Sequence, residues 1–273
     1  MQATANPVAQ RIDADQARAR ALVRFNGMAF HSLAAASFLE TAVDLQVDRV
    51  IAVFGGRPDV VVWLEHVWRP RRADLGRRLR ELIESVWPEF DWVAAYQEFH
   101  DESGARAARG PRHARETLEA LELCVVSAQA AVFYRSLFRS ADLPALRALA
   151  EDAARDYAHY FDFFSGVYER CGRGARLGFA AAWRASAASC RSAREGGVAD
   201  AYRPLERNWK GMAIVPAIDY ADFCDRMAAL IQRHAGLGPI ERLLFRPWLT
   251  RERATQPSRP DALQWLQQGP QAA

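Results

Sequence analysis

RETLEALELCVVSAQAAVFYRSLFRS (residues 115–140) and LPALRALAEDAARDYAHYFDFFSGVYERC (residues 143–171) are the two runs on which the fold turns. Each carries apolar residues at the three-and-four spacing of a helix, with no alternation of period two. Pro144 falls in the first turn of the second run, where proline is tolerated, and Gly172 and Gly174 end it. Only Ser140-Ala141-Asp142 joins the two, a connection short enough to predict an antiparallel pair.

Working outward, the same periodicity continues. A long Ala-, Leu- and Arg-rich stretch from Asp13 to Phe54 stops at Gly55-Gly56-Arg57-Pro58. A second helix reads Val60 to Trp68, capped by Asp59 and interrupted by Pro70. A third runs Ala73 to Ser85 with Leu75, Leu79, Leu82, Ile83 and Val86 against a basic face, until Pro88 breaks it. Helical pattern resumes over Phe90 to Phe99, and a polar loop follows from His100-Asp101-Glu102-Ser103-Gly104 to Gly110-Pro111. Beyond the central pair, Leu177 to Arg194 and Asp219 to His234 read as helices, with short pieces around Ile240–Phe245 and Ala262–Leu266. The expectation is an all-α long-helix bundle with additional C-terminal helices. Its parts are a flexible start (1–12), one helical domain (13–246) and an irregular tail (247–273).

Composition narrows the classes. The chain has 273 residues, 50% hydrophobic and 25% charged, which predicts a sizeable core rather than disorder. Its 36 basic and 33 acidic residues leave a net charge of +3, too small to point to nucleic acid. Four scattered cysteines (Cys124, Cys171, Cys190, Cys224) form no C-x-x-C pair, which fits free thiols in the cytoplasm better than a disulfide scaffold or zinc ribbon. Met1 to Asp15 lacks the pattern of a signal peptide, and no apolar run approaches the roughly 20 residues of a membrane span. Nucleotide loops, the G-x-S-x-G elbow, H-E-x-x-H and EF-hand patterns are all missing.

The candidate chemistry sits on the central pair. Counted from the connection, Glu122 on one helix and Asp156 and His159 on the other lie at similar distances, so an antiparallel hairpin would bring them level. Asp156 and His159 are three apart and share a face. A carboxylate facing a carboxylate-x-x-His is half of a di-iron carboxylate site, which needs a Glu from each of two helices and a Glu-x-x-His from each of the others. Hard carboxylates suit the higher-valent iron and imidazole the ferrous form. The same acid and histidine would equally suit an exposed helix face. For the other half, Glu40 lies one turn beyond the small residues Ala34 to Ser37, a good place for an inward acid. Mirrored across Gly55-Gly56, it lands among Arg71, Arg72, Ala73 and Asp74 rather than on an acid-x-x-His. Glu65 has Trp68 three residues on instead of His.

Two further clusters have two readings each. Trp63, Trp68, Trp87 and Trp92 suit an oligomer interface or ordinary core. Arg69, Arg71, Arg72, Arg77, Arg78 and Arg80 suit an acidic partner or a solvated helix face.

Several segments resemble the β subunits of bacterial multicomponent monooxygenase hydroxylases, the toluene and phenol hydroxylases. They are Thr41-Ala42-Val43-Asp44-Leu45, Leu79-Arg80-Glu81-Leu82-Ile83-Glu84 with Phe90-Asp91-Trp92-Val93-Ala94-Ala95-Tyr96, and Asp142-Leu143 through Glu151-Asp152-Ala153-Ala154-Arg155 to Tyr160 and Phe161. They fall in the family's order over about residues 35–165. The C-terminal Asp219-Tyr220-Ala221-Asp222-Phe223 is similar to acyl-carrier-protein desaturases. Both belong to the ferritin-like di-iron carboxylate superfamily. The chain departs from the β subunits in lacking their extended N-terminal arm and in its polar loop at about 100–114.

The resemblance implies a subunit without iron that packs against a larger, iron-bearing α subunit. The assembled complex would hydroxylate a hydrocarbon or aromatic substrate with dioxygen and electrons from a reductase or ferredoxin, with no nucleic acid or membrane involved. The alternative is a free-standing di-iron oxidase or oxygenase with Glu40, Glu65, Glu122, Asp156 and His159 on two iron ions. A third reading is a helical interaction protein, self-associating or bound to another chain, with no redox role.

Overall fold

The computed structural model describes residues 17–107, 115–172, 181–182, 184–186, 197–209, 218–223 and 225–226. Among them the fold is an all-α bundle. The one β-type pairing is an isolated bridge between Phe90 and Trp209. After a helical lead-in at residues 17–24 come α1 (Gly27–Thr41), α2 (Val43–Phe54), α3 (Pro58–Trp63), a π-helical turn (Leu64–Trp68), α4 (Arg69–Val86), α5 (Trp92–Ala107), α6 (Glu116–Ser140), α7 (Pro144–Gly172) and the short α8 (Gly197–Tyr202).

The central hairpin α6–α7 matches the expectation from sequence to within a residue at each end. The long N-terminal stretch does not stay whole. It breaks at Phe25-Asn26, where the Asn26 side chain accepts from the Ala29 N–H at 3.0 Å and starts α1, and again at Ala42. Pro70 interrupts nothing. The backbone N–H of Arg69 bonds to the Leu64 carbonyl five residues back, so the widened turn just before Pro70 absorbs the residue that can neither donate nor tolerate a normal carbonyl behind it. Helix α3 starts at Pro58 with Arg57 at its cap, so Asp59 sits in the first turn. Helix α5 runs on through His100-Asp101-Glu102-Ser103-Gly104 to Ala107. One interior glycine costs only about 1 kcal/mol, and Gln97 donates to Asp101 one turn on, at 2.8 Å. The pieces predicted at Ile240–Phe245 and Ala262–Leu266 lie outside the described residues, as do most of Leu177–Arg194 and Asp219–His234.

Helices α1 and α4 run antiparallel, with Phe30 against Trp87 at one end and Glu40 against Arg72 at the other. Gly76 lets them approach. A Cβ there would lie 2.6 Å from Thr41 Oγ1 and 2.7 Å from the Thr41 backbone nitrogen. Trp68, Trp87 and Trp92 are core residues, nearly or fully buried. Trp87 Nε1 donates to the Arg24 carbonyl and Trp92 Nε1 to Ser37 Oγ, which satisfies both indole donors inside. Trp63 stacks flat on Phe163 with centroids 3.6 Å apart, fixing α3 to α7.

The arginine cluster is used within the chain. Arg69 reaches Asp44, Asp48 and Glu65, Arg71 reaches Asp156 and Arg78 reaches Asp152. Arg77 bonds Asp74 and Glu81, and Arg80 bonds Glu84 and lies over the Trp92 ring. Among the described residues one stretch, Glu116–Leu137, is long and apolar enough to cross a membrane, contrary to the expectation from its sequence, and most of it is buried within the bundle.

Candidate functional site

Five helices deliver polar side chains to one buried point. Glu40 comes from the last turn of α1, Gln46 from α2, Arg72 from the first turn of α4, Tyr134 from α6 and Tyr157 from α7. The Glu40 and Arg72 side chains are 4% and 6% exposed and meet at 2.7 Å between Oε2 and Nε. The other Glu40 oxygen accepts from both phenols, Tyr157 at 2.5 Å and Tyr134 at 3.2 Å. Arg72 donates further to Gln46 Oε1 and, at 3.0 Å, to the Leu39 carbonyl. Its guanidinium lies over the Trp68 ring, 5.1 Å from the centroid. The Leu39 carbonyl is one of those that a helix end leaves without an internal partner, so the arginine also caps α1.

The electrostatics follow from that packing. Burial alone would lower the Arg72 pKa, but the charge of Glu40 and its hydrogen bond outweigh it and hold the cation more firmly than in free arginine. The Tyr134 phenol is pushed well up by burial, then by the Glu40 charge. Tyr157 rises for the same first reason, with Arg72 opposing and Glu40 adding to the rise. Both phenols therefore serve as neutral hydrogen-bond donors at any ordinary pH. The set is a closed charge pair in which every strong donor and acceptor faces another.

The five residues singled out from sequence do not come together. Glu40 is inward, as expected, and carries Arg72. Glu65 is half-buried in the π turn and pairs with Arg69 at 3.1 Å. Glu122 is buried in α6. Asp156 is half-buried and held by Arg71 at 2.6 Å. With Asp152, Arg78 and Leu75 it lines a cleft of 260 Å³ between α4 and α7. His159 is exposed.

The hairpin is antiparallel, but its register differs from the symmetric one. Tyr134 stacks on Tyr157, Cys171 meets Glu116 at 3.6 Å, and Tyr168 packs against the small cluster that holds Leu121. Glu122 is thus level with residues beyond His159, by about 9–13 Å along the axis. The cause is the link. Ala141 is extended, and Arg147 fastens its carbonyl with two hydrogen bonds. The connection leaves α6 extended and bends only at Leu143, so it carries the chain past the end of α6 before α7 turns back, which shifts one helix against the other. Among the described residues no three His, Cys, Asp or Glu side chains are grouped to hold a metal ion.

Gln46, Tyr134 and Tyr157 were not singled out by sequence, and Arg72 was read only as part of the arginine cluster, although one signal was there. The position mirrored from Glu40 carries Arg71 and Arg72, a cation where an acid was sought. Cys124 is buried and its thiol is pushed up by desolvation, the inert state expected of a mid-helix cysteine. No protein-family model, no curated protein and no solved structure matches this chain.

Proposed function

We propose that this chain is a cytoplasmic, ferritin-like subunit of the non-catalytic, β type. It supports a larger, iron-bearing hydroxylase-type α subunit in the O2-dependent hydroxylation of a hydrocarbon or aromatic substrate. The observation that carries the reading is the Glu40–Arg72 pair with its two phenols. An arginine closes the centre where a second half-site would need open carboxylates, and removing it would leave a buried charge unpaired. Arg71 pairs with Asp156 as well, at the half-exposed edge of the bundle. The ordered segments that resemble the β subunits supply the rest. Association would not use the tryptophans or the arginine cluster, which are engaged within the chain. Among the described residues, Leu22, Phe25, Val62 and Val93 are the large apolar side chains left exposed.

The test is metal content together with company. The full chain, tagged and purified from its own host, is expected to carry far less than one iron per copy and to elute with a larger hydroxylase-type chain identified by mass spectrometry. About two irons per copy, lost in Glu122→Ala or His159→Ala, would instead establish the free-standing di-iron oxidase. A metal-free, solitary chain with no redox activity would establish the helical interaction protein.

A further inference from the structure

His31 is fully buried on α1, inside a cage of aromatic rings. Phe30 meets it edge-on at 5.1 Å, Tyr202 at the end of α8 stacks on it at 4.7 Å, and Phe223 lies 6.4 Å away. Its Nδ1 is 2.9 Å from the Gly27 carbonyl, an acceptor only, so Nδ1 carries the hydrogen and donates. Its Nε2 is buried with no hydrogen-bond partner. That arrangement accommodates the neutral ring, whose Nε2 then has a lone pair and no hydrogen to place. A second proton would create a cation and a new donor at Nε2, facing rings instead of an acceptor.

The region that Tyr202 anchors meets α1 at two further places, Met28 and the Phe30 ring that faces Trp209. Tyr202 and Phe223 share a small apolar cluster with Met28, Val198, Ile218 and Tyr220. We propose that His31 is a pH-sensitive latch, and that its protonation releases α8 and the Phe223 segment from α1.

The charged groups on the elements around it do not neutralise the cation locally. On the α8 side, buried Asp200 has Arg203 within 3.9 Å, and Arg207 reaches Glu98 of α5. On the 218–226 side, Asp219 accepts from the Ala221 and Asp222 backbone, and Asp222 pairs with Arg226. Near the α4–α5 corner, Glu89 holds Arg24. Among the described residues, Glu206 is the acid whose charge reaches the ring. With the Gly27 bond it favours the imidazolium, but burial outweighs both and the pKa falls below the ordinary 6.5. The sign follows. A histidine depressed in the closed form contributes stability that is whole above 6.5 and is lost as the pH falls below it.

Hydrogen–deuterium exchange on the full chain at pH 7.5 and 5.5, corrected for the intrinsic rate, reads this out. Opening that hydrates His31 becomes more frequent over that interval, by up to about tenfold. Amides of residues 197–209 should therefore lose protection by up to that factor, while those of α6 and α7 keep theirs. His31→Phe keeps the ring and removes the proton, and its protection should not change between the two pH values. Equal pH dependence in His31→Phe overturns the proposal. Should that variant misfold, NMR titration of wild-type His31 decides: an imidazole titrating at or above 6.5, or with no accompanying shift at Tyr202 and Phe223, overturns it too.

Discussion

Replacing Arg72 by methionine tests the central pair directly. Methionine keeps most of the length and the apolar stem, so the change removes chiefly the guanidinium. Gone with it are the bonds to Glu40, Gln46 and the Leu39 carbonyl, and the contact over Trp68. Glu40 keeps its two phenol donors but loses its counter-charge in a site only 4% exposed. Stripping one partner from a buried ion pair costs about 3–5 kcal/mol. At 2–4 °C per kcal/mol for a domain of this size, the melting temperature should fall by about 6–20 °C. Glu40→Gln and the double variant complete a cycle whose coupling should reach about 2–3 kcal/mol. Thermal and urea unfolding followed by circular dichroism supply the numbers. A melting point within 2 °C of wild type at pH 7 would falsify the view of this pair as the polar keystone of the bundle.

Other expectations are simpler. Gly76→Ala should destabilise by about 1–3 kcal/mol despite alanine's better helix propensity, because the new methyl meets the Thr41 backbone nitrogen at 2.7 Å; a rise in melting temperature would count against the close α1–α4 approach. Arg71→Ala and Arg78→Ala break half-exposed pairs and should each cost less than about 1 kcal/mol; losses as large as that of Arg72→Met would mean the outer ladder matters as much as the inner pair. Cys124 should stay unlabelled by iodoacetamide in the native protein at pH 8 and react fully in urea. Peptide mass spectrometry distinguishes the two, and rapid native labelling would contradict its burial.

How far the sequence reached depends on which forces act locally. The α6–α7 hairpin was legible because its ends are written in Pro144 and Gly172 and its faces in regular apolar spacing. The break at Asn26 carried an N-cap residue, yet the alanine-rich pattern runs across it without a change of phase. Pro70 reads as a helix breaker in any local rule, and the π turn just before it keeps the rod whole. Glu40 was correctly placed inside from the small residues before it. Its partner was invisible to a search for acids and histidines because the core answers a buried carboxylate with an arginine. Tyr134 and Tyr157 look like ordinary apolar positions until their hydroxyls are seen to converge. The level of Glu122 against His159 rested on a symmetric turn, and the extended Ala141 link is a tertiary feature that no spacing records.

The π turn at Leu64–Trp68 has a mechanical consequence. An ordinary helix rotates about 100° with each residue, so the widened coil works as a phase adapter between the two halves of one rod. Upstream of it, Asp59 and Trp63 address Arg170 and Phe163; downstream, Arg72 addresses Glu40. Deleting a single residue there, such as Val67, would restore a regular spiral and swing the upstream half away from α7. This short coil is where the rod should be least forgiving of a change in length, whatever side chains fill it.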